Sequence, residues 1–129
     1  MNHENAGKLI LRVVLGLVVL LHGIHKLTGG VDWLDGALAN AGLPGILKYG
    51  VYIGEVVAPL LLIAGFYSRI GGWVLAVNMV FAILLVYPAK LFAINPESGG
   101  LAIEYEYLIL FAAIAVALIG PGRYAVNQK

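Results

Sequence analysis

Hydrophobic and polar positions separate along this chain on the scale of whole segments. Apolar runs occupy Leu9 to Leu27, Ile46 to Phe66, Ile70 to Pro88 and Glu104 to Gly120, and most of the charge falls between them or at their edges. A helix needs about 20 apolar residues to cross a hydrocarbon core about 30 Å thick. Backbone in lipid must satisfy its own hydrogen bonds, and four short pieces cannot close a barrel, so each run predicts a helix. The expected fold is an all-α integral membrane protein: a single domain over residues 1–129, built as an antiparallel bundle of four transmembrane helices.

The connections refine that picture. In "DWLDGALANAGLPG", Asp32 can cap a helix, Asp35 can reach back as in a capping box, and Leu34, Ala37, Leu38 and Ala41 share one face before Gly42 and Pro44 stop it. A short amphipathic helix in the first outer loop is expected, as a lid or simply as a surface segment. The second outer loop predicts a turn at Asn95 to Gly100. Lys8, Arg12, Arg69, Arg123 and Lys129 fall on one side of the bundle and Lys26, Lys48 and Lys90 on the other. That bias places both termini in the cytoplasm. Tyr67, Trp73 and Tyr124 mark the inner interface, and Trp33, Tyr49, Tyr87, Tyr105 and Tyr107 the outer one. Gly50 with Gly54, and Ala113 with Ala117, have the small-xxx-small spacing of close helix packing.

Composition agrees and removes several functions. The 129 residues are 61% hydrophobic and 12% charged, with net charge +1 and a mean hydropathy of +0.93. No basic face is concentrated enough to hold nucleic acid. Cysteine is absent, which excludes disulfide exchange and thiolate chemistry in the chain itself. Lys8 and Arg12 precede an apolar run and "ALA" follows at 37–39, but the run is long for a signal peptide and the triplet lies beyond its end, so the first segment is read as a span.

Polar groups at membrane depth require partners and tend to mark function. With 1.5 Å of rise per residue, His22 lies about 7 Å below the outer boundary, and Glu55 and Asn78 about 13 to 15 Å below it. With Glu104 at the outer start of the last span, they can meet at one level as a ligand-binding or proton-handling pocket. Arg12, His25, Lys26 and Glu106 are supporting candidates. Arg12 is read as snorkelling to headgroups, His25 and Lys26 as interfacial, and Glu106 as facing the lipid boundary. Pro59 has no N–H for the Glu55 carbonyl, which predicts a bend and a spare acceptor there. Metal ligation by His22, His25 and Glu55 is the weaker alternative, because intramembrane His and Glu more often hydrogen-bond one another or a ligand.

"LRVVLGLVVLLHGIHKL", "GEVVAPLLLIAGFYSRIGG" and "EYEYLILFAAIAVALIGPGRY" together resemble the DoxX family of small four-helix membrane proteins. Arg12, Gly16, His22, Gly23, Lys26, Leu27, Glu55, Gly65, Arg69, Glu104 and the run Gly120 to Tyr124 carry the likeness. Where the family continues with serine and aspartate, this chain has Ala125 and Asn127, which weakens any expected capping role for the tail. The resemblance implies a bacterial inner-membrane protein near respiratory or redox chemistry, in a family associated with quinol oxidase and thiosulfate:quinone oxidoreductase. The expected function is an accessory subunit of a quinone-linked complex, with quinone as the candidate ligand and lipids, a partner subunit or a second copy as partners. The alternatives are a small cation, metal or metabolite transporter, and a scaffold for a partner membrane protein.

Overall fold

Helix α1 (His3–Gly29) starts ahead of the apolar run it carries. It belongs to a computed structural model that describes residues 3–30, 35–86, 93–101 and 103–129. After it come α2 (Asp35–Asn40), a 3-10 turn (Gly45–Tyr49), α3 (Gly50–Tyr52), a π turn (Ile53–Val57), α4 (Ala58–Ala64), α5 (Ser68–Val86) and α6 (Glu104–Ile119). Every regular element among the described residues is helical, apart from one isolated bridge between Ile94 and Leu101. His3–His25 and Gly45–Ala64 are long and apolar enough to cross a membrane, and Ser68–Leu84 is a shorter apolar helix.

The long segments pack in a ring: α1 on α4, α4 on α5, α5 on α6, and α6 back on α1. Neighbours run antiparallel. Gly16 of α1 meets Pro59 and Ile63 of α4, while Gly23, further along, meets Glu55. Gly72 of α5 meets Ala113 and Ala117 of α6. Both termini therefore lie at one end, where the Arg123 N–H donates to Asn5 Oδ1 at 3.0 Å.

Large apolar side chains cover the outside of the bundle as well as its core. On α1, Ile10, Val14, Leu17 and Leu21 form an exposed stripe at helical spacing, and the buried stripe holds Arg12, Leu15, Gly16, Val19 and Gly23. Trp73, Val77, Phe81 and Leu84 of α5, and Leu108, Phe111 and Leu118 of α6, are likewise exposed. An apolar surface this extensive marks a membrane environment. Small residues line the interior because packing, rather than water exclusion, joins helices in lipid.

The sequence expected a bend at Pro59, and the chain makes a π turn just before it. The Ala58 N–H reaches back to the Ile53 carbonyl, and Pro59 then occupies the first turn of α4, where no N–H is needed. In the loops, Asn95 N–H donates to Gly100 O at 2.7 Å and closes the expected turn. The expected short helix appears as α2, with Leu38 buried beneath it and Asp35 paired to Lys48 at 3.1 Å. Asp32, Trp33, Leu34, Tyr87, Pro88 and Lys90 lie outside the described residues.

At the termini two expectations are corrected. Arg12 does not snorkel to headgroups. It is 1% exposed, and its guanidinium donates to Leu62 O at 2.8 Å, Ile63 O at 3.1 Å and Tyr124 O at 2.6 Å. It lies on the packed stripe of α1, opposite the carbonyls that end α4, so the helix terminus supplies acceptors that lie nearer than headgroups. Arg69 serves α6 in the same way, through Ala117 O at 3.2 Å and Leu118 O at 2.9 Å.

The second correction is the tail, which does cap. Asn127 Oδ1 accepts from Tyr67 N–H at 3.0 Å and from Lys129 N–H at 3.2 Å. Tyr67 sits at φ 49°, an uncomfortable value for a side chain with a Cβ, and the bond from Asn127 helps hold it there. Asn127→Asp keeps an acceptor oxygen and should leave stability nearly unchanged. Asn127→Ala should lower it by about 1 kcal/mol, the usual value of one such bond. Denaturant unfolding of both variants in detergent separates the two expectations.

Candidate functional site

At the end of the bundle away from the termini, α1 and α6 bring two rings together. His22 stacks on Tyr105 with centroids 4.6 Å apart and planes 25° apart. His22 Nδ1 lies 2.9 Å from the Val18 carbonyl and 3.1 Å from the Tyr105 hydroxyl. A carbonyl oxygen can only accept, so Nδ1 carries the proton and donates to Val18.

Glu55 stands behind this pair, in the π turn. It is 3% exposed, and its backbone carbonyl packs against Gly23, the residue after His22. The carbonyl that Pro59 cannot serve is thus covered by α1 instead of standing open to a ligand, which changes the expected spare acceptor into a helix contact. Glu55 and Glu106 both lie within electrostatic range of the Tyr105 hydroxyl. Asn78 of α5 packs its side chain directly on Gly54, beside Glu55. Gly23 of α1 and Asn78 of α5 thus pack on the π turn that carries Glu55.

Glu104 is not part of this grouping. It is exposed, and its carboxylate turns toward Gly100, whereas Glu106 is half-buried on the face of Ile109 and Ala113. The expectation for this pair is therefore reversed, because a helix repeats near 3.6 residues: Glu106 precedes the buried Ile109 and Ala113 by three and seven, while Glu104 precedes the exposed Leu108 and Phe111 by four and seven. His25 is exposed, as an interfacial residue would be, and its carbonyl accepts from Thr28 Oγ1 at 2.8 Å. The Lys26 side chain lies outside the described residues. Arg12 belongs to the opposite end. No three His, Asp or Glu side chains converge with metal-ligand spacing among the described residues, so His22, His25 and Glu55 are not assembled as a metal set.

Tyr105, expected only as an interfacial aromatic, has a second neighbourhood. An open groove of about 600 Å³ runs along the outer face of α6, lined by Leu101, Glu104, Tyr105, Tyr107, Leu108 and Phe111. Its walls are almost wholly apolar. The tyrosine thus touches His22 on one side and the groove on the other. The spacing of His22 and Tyr105 in the sequence carries no sign of this pairing. Only the register of α1 against α6 creates it.

Comparison with known proteins gives the chain its relatives. It is 32% identical over 124 residues, 94% of this chain and 84% of the relative, to "Putative oxidoreductase CatD" of Bacillus subtilis (strain 168). It is 30% identical over 122 residues, 92% of this chain and 87% of the relative, to an "Uncharacterized protein" of Haemophilus influenzae. It is 28% identical over 131 residues, 92% of this chain and 78% of the relative, to "Uncharacterized membrane protein Rv3486" of Mycobacterium tuberculosis. No solved structure matches it. The DoxX family model matches residues 7–88, the stretch that holds Arg12, His22, Gly23, the π turn and Asn78. With that match, the apolar outer surface and these relatives taken together, the chain belongs to the DoxX family of membrane proteins.

Proposed function

We propose that this protein is a multi-pass inner-membrane subunit that binds a quinone for a larger redox complex and manages the accompanying proton, without being a complete enzyme. In this reading all four apolar segments cross the bilayer and both termini face the cytoplasm, as the distribution of Lys and Arg favours. The name of the Bacillus relative, a putative oxidoreductase, agrees with a redox setting.

One observation carries the proposal: Tyr105 belongs both to the apolar groove and to the His22 contact. A flat ring with a hydrocarbon tail fits such a place, because the groove opens sideways to the acyl chains and ends on a polar group. A quinone supplies the electron-carrying ring that no side chain of the chain offers. His22, exposed, can exchange protons with the aqueous side, and Glu55 is the buried carboxylate that can hold one. The groove fits an apolar ring better than a cation, which favours this reading over transport.

Mass spectrometry of small molecules retained by protein purified with its native lipid tests the proposal. Quinone should be enriched well above the bulk lipid background. Leu108→Trp fills the groove from an exposed position and should leave the fold intact while reducing the retained quinone by about tenfold, the effect of roughly 1.4 kcal/mol. Equal enrichment in both proteins, or none in either, would sink the reading.

A further inference from the structure

Resting on that reading of the groove, we infer that Tyr105 is the residue that recognises the ligand's oxygen: its hydroxyl donates a hydrogen bond to a neutral ring carbonyl seated in the groove, and His22 is the positioning residue that leaves this proton free.

The starting point is what His22 does with Nδ1. Its in-plane N–H is committed to the Val18 carbonyl at 2.9 Å, so the nitrogen has no lone pair to offer the tyrosine. The hydroxyl therefore does not give its proton to His22. Among the described residues its hydrogen-bond contact is with His22. The donor capacity of Tyr105 is therefore unspent at a position that lines an apolar groove, and an unspent donor beside an apolar wall calls for an acceptor.

Charge then narrows the acceptor. Glu55 on the π turn and Glu106 on α6 lie within electrostatic range of the hydroxyl, and Glu104 lines the same groove. Three carboxylates around one spot disfavour an anionic ligand such as a carboxylate or a phosphate ester. A neutral carbonyl oxygen does not meet that repulsion. Stacking on Tyr105 fixes the imidazole and the phenol as one unit, so the position of the donor is set before the ligand arrives.

Tyr105→Phe removes one oxygen and keeps the stacked ring, so it isolates the claim. Purified protein in lipid nanodiscs is titrated, with ligand-detected NMR, against a short-chain benzoquinone and against the same ring with methyl groups in place of both oxygens. Wild type should prefer the quinone. Tyr105→Phe should weaken quinone binding by about tenfold and leave the hydrocarbon ring unchanged. His22→Ala, which removes the ring that holds the phenol in place, should show a similar loss, and His22→Phe, which keeps a stacking ring and offers the hydroxyl no acceptor, should restore most of it. Quinone binding as tight in Tyr105→Phe as in wild type would overturn the inference and leave the groove reading standing. Equal wild-type affinity for the two rings would also overturn it, while no wild-type binding of either ring would remove the groove reading as well.

Discussion

Arg12→Ala should lower stability by about 3 to 5 kcal/mol and free the C-terminal tail. The guanidinium holds three carbonyls: Leu62 and Ile63 at the end of α4, and Tyr124 beyond α6. Alanine leaves all three acceptors without this donor, and hydrogen bonds from a charged group are worth roughly 1.5 to 3 kcal/mol each, less where water can reach the acceptor. Arg12→Lys should recover less than half, since a single ammonium on a flexible stem cannot span two helix ends in the way a planar fork does. Unfolding in detergent gives the stability change. Trypsin gives the tail, because Arg123 precedes the residue that Arg12 holds and should be cut much faster once that bond is lost. An alanine variant as stable as wild type, with the tail still protected, would show that the arginine is ballast.

Why was the destination of Arg12 hidden when the helix carrying it was plain? The apolar runs and the bend near Pro59 are local features, readable from composition and from one missing N–H. So is the turn closed by Asn95 and Gly100. Depth is also local, and it placed Arg12 within reach of headgroups. Facing is a different quantity. Arg12 shares its stripe with Gly16, Val19 and Gly23, and small residues at that spacing mark a packed face, which turns the arginine inward. Glu106 follows the same rule through Ala113, seven residues on. Tyr105 does not, because its partner His22 comes from another helix and only the register between α1 and α6 decides whether they meet. The stacking of His22 in "LLHGIHKL" on Tyr105 in "EYEYL" is a tertiary fact with no local signature.

The tightest such fact is the approach of Gly23 to the main chain at Glu55, and it leads to the second large effect. A Cβ at position 23 would overlap the Glu55 carbonyl and meet the Val56 side chain at 3.0 Å. The obstructing atoms are backbone in a π turn beside Pro59, so no rotamer change relieves the clash and α1 must move away. Gly23→Ala should therefore lower stability by about 3 kcal/mol, the upper end of the usual range for overpacking, and Gly23→Val should prevent folding. The same helix supplies its own controls. Gly16 would meet Ile63 Cγ1 at 2.7 Å and the Pro59 carbonyl at 2.9 Å, one of them a side chain that can shift, so Gly16→Ala should fall between. Nothing lies within 4 Å of Gly7, and there alanine should stabilise by about 0.5 to 1 kcal/mol through helix propensity alone. The three glycines differ only in what stands opposite them, so a series in which Gly23→Ala behaves like Gly7→Ala would mean that α1 does not rest on the π turn. Because His22 is the neighbour of Gly23, displacement of α1 should also unstack His22 from Tyr105. Loss of quinone retention in Gly23→Ala, at temperatures where it remains folded, would tie the packing of the bundle to the chemistry at its open end.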